Sequence, residues 1–392
     1  MKRSLTLQYM IHQMTYWAAA AGVMSFASAF LLAKGFPASE VGVLLAAGNL
    51  LSCALQPLLA DRADRAKGNV LTAMVVGLTA FSMVCFGLLL FLPLPRSVFG
   101  LLYLLGIFTF DAMMPLMNAI CVCCNNSGRH VNYGFCRGIG SLAFSVAALA
   151  IGEVIARSGA DGMLWIVLAL LGGNILITLT YPKLEKGCEA QAQATECCSV
   201  GVFFRRYKWY CLSLLGVMLL AMFHAMTENY LIEVVRPLGG DSGSVGIALF
   251  IATLIEMPVL LWFDGVRRHI SDHRLIKISG LAFLVKAALL YIAPSVMAIY
   301  GIQLLQAVSY AFLSPTQVYY ANGKIAPADM VKGQAFITAS YTLGCALGNF
   351  AGGQLLEYFS ISAMLGSGIV MAALGTVILF LTVDRRDLPT EV

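Results

Sequence analysis

Asp111, Arg137, Glu228, Glu256 and Lys286 all fall within long apolar runs of the 392-residue sequence. An ionisable side chain at the centre of a bilayer costs about 2.5–3.5 kcal/mol on insertion scales, so each needs compensation from the fold. Glu256 sits near the middle of one run and Lys286 halfway along the next. Opposite charges at similar depth on neighbouring spans favour each other's ionised forms. Such a pair is either a permanent structural ion pair or one whose protonation changes with conformation. His224 and Glu228 are four residues apart, hence on one helical face. A histidine beside a carboxylate is a proton site if both titrate near neutral pH, and otherwise a satisfied interior pair. Asp111, Pro115 and Asn118 recur at i, i+4 and i+7, and Gln303, Gln306, Tyr310 and Gln317 form a second polar stripe. Uncharged amides in a dry interior must find partners, so these stripes read as the lining of a water-filled cavity. Tyr9, Gln13 and Tyr16 extend the pattern near the N-terminus.

The elements that must position these groups are transmembrane helices. Charged residues make up 11% of the chain and hydrophobic ones 59%, and the mean hydropathy is +0.83. Soluble proteins carry roughly 25% charged residues, so hydrocarbon must cover most of this exterior. Runs of about 20 mostly apolar residues, enough to cross a bilayer core, occur over 10–33, 40–60, 70–92, 99–123, 132–156 and 162–182. Six more follow over 208–233, 243–263, 274–293, 297–320, 333–356 and 361–382. Runs of this length are helices, because barrel strands are shorter and alternate. The first run is too long for a cleaved signal and reads as a retained helix. If both termini and every second loop share one side, that side holds 19 of the 25 basic residues and the other side 4. The positive-inside bias then puts both termini in the cytoplasm, with an even number of spans.

The polar stretch 183–207 divides the runs into an N-terminal bundle, 1–182, and a C-terminal bundle, 208–392. The two halves echo each other. ADRADR at 60–65 matches FDGVRR at 263–268, and YGFCRGIGS at 133–141 matches KGQAFITAS at 332–340. Near-equal offsets point to duplicated halves related by an axis along the membrane normal. The expected fold is all-α, with twelve spans in two pseudo-symmetric six-helix bundles. Gly134 and Gly138, and Gly344, Gly348 and Gly352, have the spacing that lets helices approach closely. The eleven cysteines lie mainly in apolar runs and lack paired CxxC spacing, so neither a disulfide framework nor a metal site is expected. No Walker A, HExxH or GxSxG pattern occurs, which argues against ATP drive and the common hydrolases. No cofactor and no nucleic-acid partner is implied.

ADRADRAK resembles the loop signature of the major facilitator superfamily, with Asp61, Arg62, Arg65 and Lys67 at matching positions and Leu58 and Asp64 in place of its glycines. Within that superfamily, YGFCRGIGS, Glu256 in TLIEMPV, Lys286 in LAFLVKAA and LLQAVSYAF at 304–312 are similar to the lactose-permease and phenylpropionate-permease branch. The resemblance implies a secondary active transporter working by alternating access, with the solute bound at mid-membrane between the halves. It places Arg137 at the sugar-binding arginine, Ala119 at a helix 4 acid, and Phe144 at a stacking tryptophan. Gln306 and Ser309 stand where that branch has the His and Glu of its proton machinery. These departures argue against galactoside specificity.

The expected substrate contacts are therefore Arg137, Asp111, Asn118, Phe144, Gln306 and Tyr310. Proton coupling is expected from Glu256, with Lys286 as its counter-charge, and from Glu228 and His224. Asp61, Arg62, Arg65, Asp264, Arg267 and Arg268 would form a cytoplasmic latch. The expected protein is a monomer in the cytoplasmic (inner) membrane, in contact with lipid, taking up a small solute with a proton. An efflux antiporter or uniporter of the same fold is the alternative, and a non-transporting membrane sensor the alternative of another class.

Overall fold

The structure is a computed structural model and describes residues 5–65, 70–126, 131–182, 199–326 and 329–385. All twelve apolar runs are helical. α1 (Leu5–Ala20) continues through a π-helical turn (Ala21–Ser25) into α2 (Ala27–Ala33). There follow α3 (Ala38–Arg65), α4 (Val70–Phe91), α5 (Arg96–Ala112), α6 (Met114–Asn126), α7 (Tyr133–Ser158) and α8 (Asp161–Leu179). After the polar stretch come α9 (Val200–Arg206), α10 (Lys208–Asn229), α11 (Leu231–Val235), α12 (Ser242–Leu261), α13 (Phe263–His269) and α14 (Asp272–Tyr291). The last are α15 (Val296–Gln303), a 3-10 turn (Leu304–Ala307), α16 (Tyr310–Lys324), α17 (Met330–Tyr358) and α18 (Ile361–Thr382). Several starts are set by capping side chains that accept a backbone N–H. Asn132 accepts from Phe135, Ser295 from Ala298, and Ser360 from Ala363.

Among the described residues nine of these stretches are long and apolar enough to cross a membrane, or ten with the bent pair Leu5–Ser25 and Ala27–Ala33. The two remaining runs form α14 and α17, of 20 and 29 residues. α14 is less apolar because it carries Arg274, Lys277 and Lys286, and α17 because Gly, Ser, Thr, Gln and Asn recur along it.

The first, fourth, seventh and tenth runs are broken helices. The first bends by 48° past its π-helical turn, where the Tyr103 hydroxyl donates to Val23 O at 3.0 Å. The fourth breaks between α5 and α6, two residues before Pro115. Proline has no N–H to give the Asp111 carbonyl four residues back, and its ring crowds that carbonyl. The seventh breaks at Tyr230 between α10 and α11, and the tenth at the 3-10 turn before Ser309. Breaks at membrane depth free backbone polar groups, which is tolerated where they are buried in protein or line a cavity.

The chain forms two compact units, Met1–Ala192 with Gly240–Thr253, and Gln193–Gly239 with Leu254–Val392. In the first unit α1 packs against α7 and α8, and α4 against α5 and α8. A polar seam ties α1 to α8. Gln8 donates to Thr180 Oγ1 at 2.8 Å, and Asn174 to Thr15 Oγ1 at 3.1 Å. In the second unit α10 packs against α17 and α18, and α14 against α16 and α18. The α10–α17 contact depends on glycine. A Cβ at Gly344 would lie 2.5 Å from Met218 O, and one at Gly348 only 2.3 Å from Met222 O. The cysteine expectation needs one correction: Cys123 is disulfide-bonded, while Cys53, Cys85, Cys121 and Cys136 are free thiols.

Candidate functional site

Among the described residues, a polar cluster in each unit gathers several of the expected site residues. In the first, Arg137 on α7 lies over the indole of Trp17, its guanidinium carbon 3.7 Å from the ring centroid. A cation this close to a tryptophan face is held by the ring quadrupole, worth about 2 kcal/mol when desolvated. Its Nη1 also donates to Ser141 Oγ at 2.7 Å, one turn along the same helix. Gly140 makes room for the indole, because a Cβ there would meet Trp17 Cδ1 at 2.7 Å.

From Trp17 a chain of hydrogen bonds runs down α1. The indole Nε1 donates to Gln13 Oε1 at 2.9 Å, Gln13 Nε2 donates to the Tyr9 hydroxyl at 2.7 Å, and that hydroxyl donates to Asn118 Oδ1 at 3.4 Å. Tyr16 stacks on Phe110 at 4.7 Å and lies within electrostatic reach of both Asp111 and Arg137. Asp111 itself is half-buried near Ser52. Of the substrate contacts expected in this half, Arg137, Asp111 and Asn118 thus lie in or beside one network. Phe144 is half-buried two turns beyond Arg137 on α7.

In the second unit Lys286 on α14 is 1% exposed. Its ammonium donates to Glu228 Oε1 on α10 at 3.1 Å and to Gln306 Oε1 in the 3-10 turn at 2.7 Å. This corrects the expected partnership. The acid that the structure places against the Lys286 ammonium is Glu228, because the packing of α10 against α14 brings the two together; Glu256 lies on α12. His224 Nδ1 is 4.0 Å from Glu228 Oε1 and has no hydrogen-bond partner among the described residues. Its ring stacks on Tyr310 at 5.0 Å and meets Phe283 edge-on, and Tyr310 in turn touches Tyr341. The buried Oε1 atoms of Gln303 and Gln317 also lack partners among the described residues. An unpaired amide oxygen in a dry interior is costly, so both call for a water or a solute donor. Residues expected as two groups, proton-coupling Glu228, His224 and Lys286 and substrate-binding Gln306 and Tyr310, form one cluster.

The expected latch is described only in part. Asp61, Arg62 and Arg65 fall in the last turn of α3, and their side chains lie outside the described residues. On α13, Arg267 makes a two-pronged contact with Asp272, at 2.8 and 3.0 Å, and covers the Tyr319 ring at 3.5 Å. Asp264 and Arg268 are exposed or nearly so.

Sequence reasoning missed Trp17 and Phe283. Trp17 continues the Tyr9–Gln13 spacing by one more turn, a signal that was available. Phe283 reads as ordinary core from sequence. His12 was also missed: it is fully buried, between Tyr181 OH at 3.3 Å and Thr178 Oγ1 at 3.1 Å.

Residues 6–382 match the MFS_1 like family. The chain belongs to that family. A maltose permease of Geobacillus stearothermophilus is 27% identical over 365 residues, 89% of this chain and 86% of the relative. An uncharacterized transporter of Bacillus subtilis (strain 168), YwbF, is 24% identical over 345 residues, 83% of this chain and 80% of that one. Among solved structures, the nucleoside transporter NupG has a TM-score of 0.80 at 16% identity, covering 97% of this chain and 98% of that one. A POT family transporter in complex with 5-aminolevulinic acid has a TM-score of 0.69 at 12% identity, covering 96% and 94%. The fold is that of the major facilitator superfamily. This family member is a multi-pass membrane protein and a secondary transporter of a small solute, not an enzyme, and the sensor alternative is set aside.

Proposed function

We propose that the chain takes up a small polar solute across the cytoplasmic membrane together with a proton, by alternating access. The observation that carries this reading is the buried contact of Lys286 with both Glu228 and Gln306. A carboxylate at that depth is stable as an anion only while a cation stays beside it. A conformational step that drew Lys286 away would make Glu228 take a proton, and the return step would expel it. His224, one turn away with Nδ1 unpartnered among the described residues, is the nearest relay. Glu256 remains a second proton acceptor in this proposal.

Solute contact falls to Arg137, Asp111, Asn118 and Phe144 in one unit and to Gln306 and Tyr310 in the other. An arginine held against an indole, with amides and phenols in line, suits hydroxylated rings. Similarity to a maltose permease and to a nucleoside transporter supports sugars and nucleosides as the first classes to try. Kinship with the lactose-permease and phenylpropionate-permease branch, twelve spans with cytoplasmic termini, bundles 1–182 and 208–392 joined by 183–207, a latch at Asp61, Arg62, Arg65, Asp264, Arg267 and Arg268, and a monomeric state complete the proposal. The closed Lys286–Glu228–Gln306 contact favours one rival, in which the pair is permanent and the protein is a uniporter or an efflux antiporter.

Thermal unfolding of the purified chain with maltose and with nucleosides tests the solute site. A ligand at a hundredfold excess over its Kd stabilises the folded state by about 2.7 kcal/mol. The proposal expects this shift for one class and its loss in Arg137→Ala. A shift that persists undiminished in Arg137→Ala would remove Arg137 from the site.

A further inference from the structure

An outward groove of about 450 Å³ lies within the first unit, between the first turns of α3 and α5, lined by Phe36, Glu40, Val43, Leu44, Arg96 and Gly100 among others. Its volume lies within the roughly 300–1,000 Å³ typical of small-molecule sites. Arg96 and Glu40 close its mouth. Arg96 Nε donates to Glu40 Oε2 at 3.1 Å, and Nη2 lies 2.6 Å from Oε1. About half of each side chain is still exposed, which leaves guanidinium N–H groups and carboxylate lone pairs available outward. The floor is apolar and lies about one helical turn deeper. Val43 follows Glu40 by three residues and Leu101 follows Arg96 by five, roughly 4.5 and 7.5 Å along their helices. Both are about half exposed. Gly100 keeps the groove deep, because a Cβ there would already stand 3.1 Å from the Phe36 ring and 3.5 Å from Leu44.

We propose that this groove binds a zwitterionic aminophospholipid, with its phosphate on Arg96, its ammonium on Glu40, and an acyl chain along Val43, Leu44, Gly100 and Leu101. Three features lead to this occupant. The groove opens on helix ends of a membrane-spanning chain, where headgroups meet hydrocarbon. Polar groups lie above apolar ones, in the order of a lipid's own parts. The polar groups are one cation and one anion already in contact, so their sum is neutral. That pair complements a headgroup carrying both charges, while a purely anionic headgroup would satisfy Arg96 and meet the Glu40 carboxylate.

Native mass spectrometry of the purified full chain tests this with phosphatidylethanolamine, phosphatidylglycerol and water-soluble glycerophosphoethanolamine. Each charge-assisted hydrogen bond to the headgroup is worth a factor of about ten or more. The expected result is retention of phosphatidylethanolamine about tenfold above phosphatidylglycerol, with no retention of the soluble headgroup. Gly100→Leu, which fills the floor, and Arg96→Gln, which removes the phosphate partner, should each lower that retention about tenfold. Arg96 is half exposed, so its variant keeps the test valid if Gly100→Leu fails to fold. Equal retention of the two lipids, retention of the soluble headgroup alone, or undiminished retention in Arg96→Gln would each overturn the proposal. None of these outcomes bears on solute transport.

Discussion

At the scale of single residues, hydrogen-bond direction decides more than residue type. Thr178 Oγ1 donates its only hydrogen to Asn174 O at 2.7 Å, so toward His12 it can only accept. His12 Nε2 must then carry the proton, and Nδ1 accepts from the Tyr181 hydroxyl. The ring is satisfied as neutral imidazole and joins α1 to α8. His12→Ala strands the Tyr181 hydroxyl in the interior and should cost about 1–3 kcal/mol, read as a lower thermal unfolding midpoint. His12→Gln, which keeps a donor and an acceptor, should recover part of that loss. No loss in His12→Ala would mean that water replaces the ring. His224, by contrast, has an unpartnered nitrogen among the described residues beside Glu228, which suits a group that changes state. The sequence marked Glu228, His224, Lys286 and Arg137 by cost alone, since apolar runs rarely carry such residues. It could not tell which acid meets Lys286. Glu228 and Glu256 both lie within apolar runs, and only the packing of α10 against α14 chooses between them.

At the scale of elements, existence was legible and interruption only partly so. Continuous apolar runs announce the spans, and Asn132, Ser295 and Ser360 mark helix starts by their capping chemistry. Pro115 announces the break between α5 and α6. The 3-10 turn before Ser309 carries no such mark, because Leu304, Leu305 and Ala307 are sound helix formers and the break arises from tertiary packing. There the Ser279 hydroxyl donates to the Ser309 carbonyl at 2.5 Å, in addition to the helical bond that this carbonyl accepts from Leu313 N–H at 3.1 Å. The α10–α17 contact makes a sharper prediction. Gly348 leaves no space for a Cβ against the Met222 backbone, which cannot yield as a flexible side-chain tip would. Gly348→Leu should lower stability by roughly 1–3 kcal/mol or more, by overpacking. At Gly138 a Cβ would meet nothing within 4 Å, so Gly138→Ala should be nearly neutral in the same thermal assay. Equal effects at the two positions would contradict the packing described.

At the scale of the whole molecule, the uneven distribution of basic residues predicts that both termini share the cytoplasmic side. Reporter domains fused at each end, one active only inside the cell and one only outside, should give inside signals at both. Opposite signals would require an odd number of spans and undo the twelve-span proposal. The broken first, fourth, seventh and tenth runs recur every third span, a regularity that the half-to-half echoes of sequence did not reveal. The central claim is that a proton moves with the solute through the Glu228–Lys286 contact. The most direct measurement follows external pH in a weakly buffered suspension of proteoliposomes when maltose or a nucleoside is added. The account predicts alkalinisation with one solute class in the wild-type chain and none in Glu228→Gln, which should still exchange solute across the membrane. Solute entry without alkalinisation in the wild-type chain, or the same alkalinisation in Glu228→Gln, would contradict it.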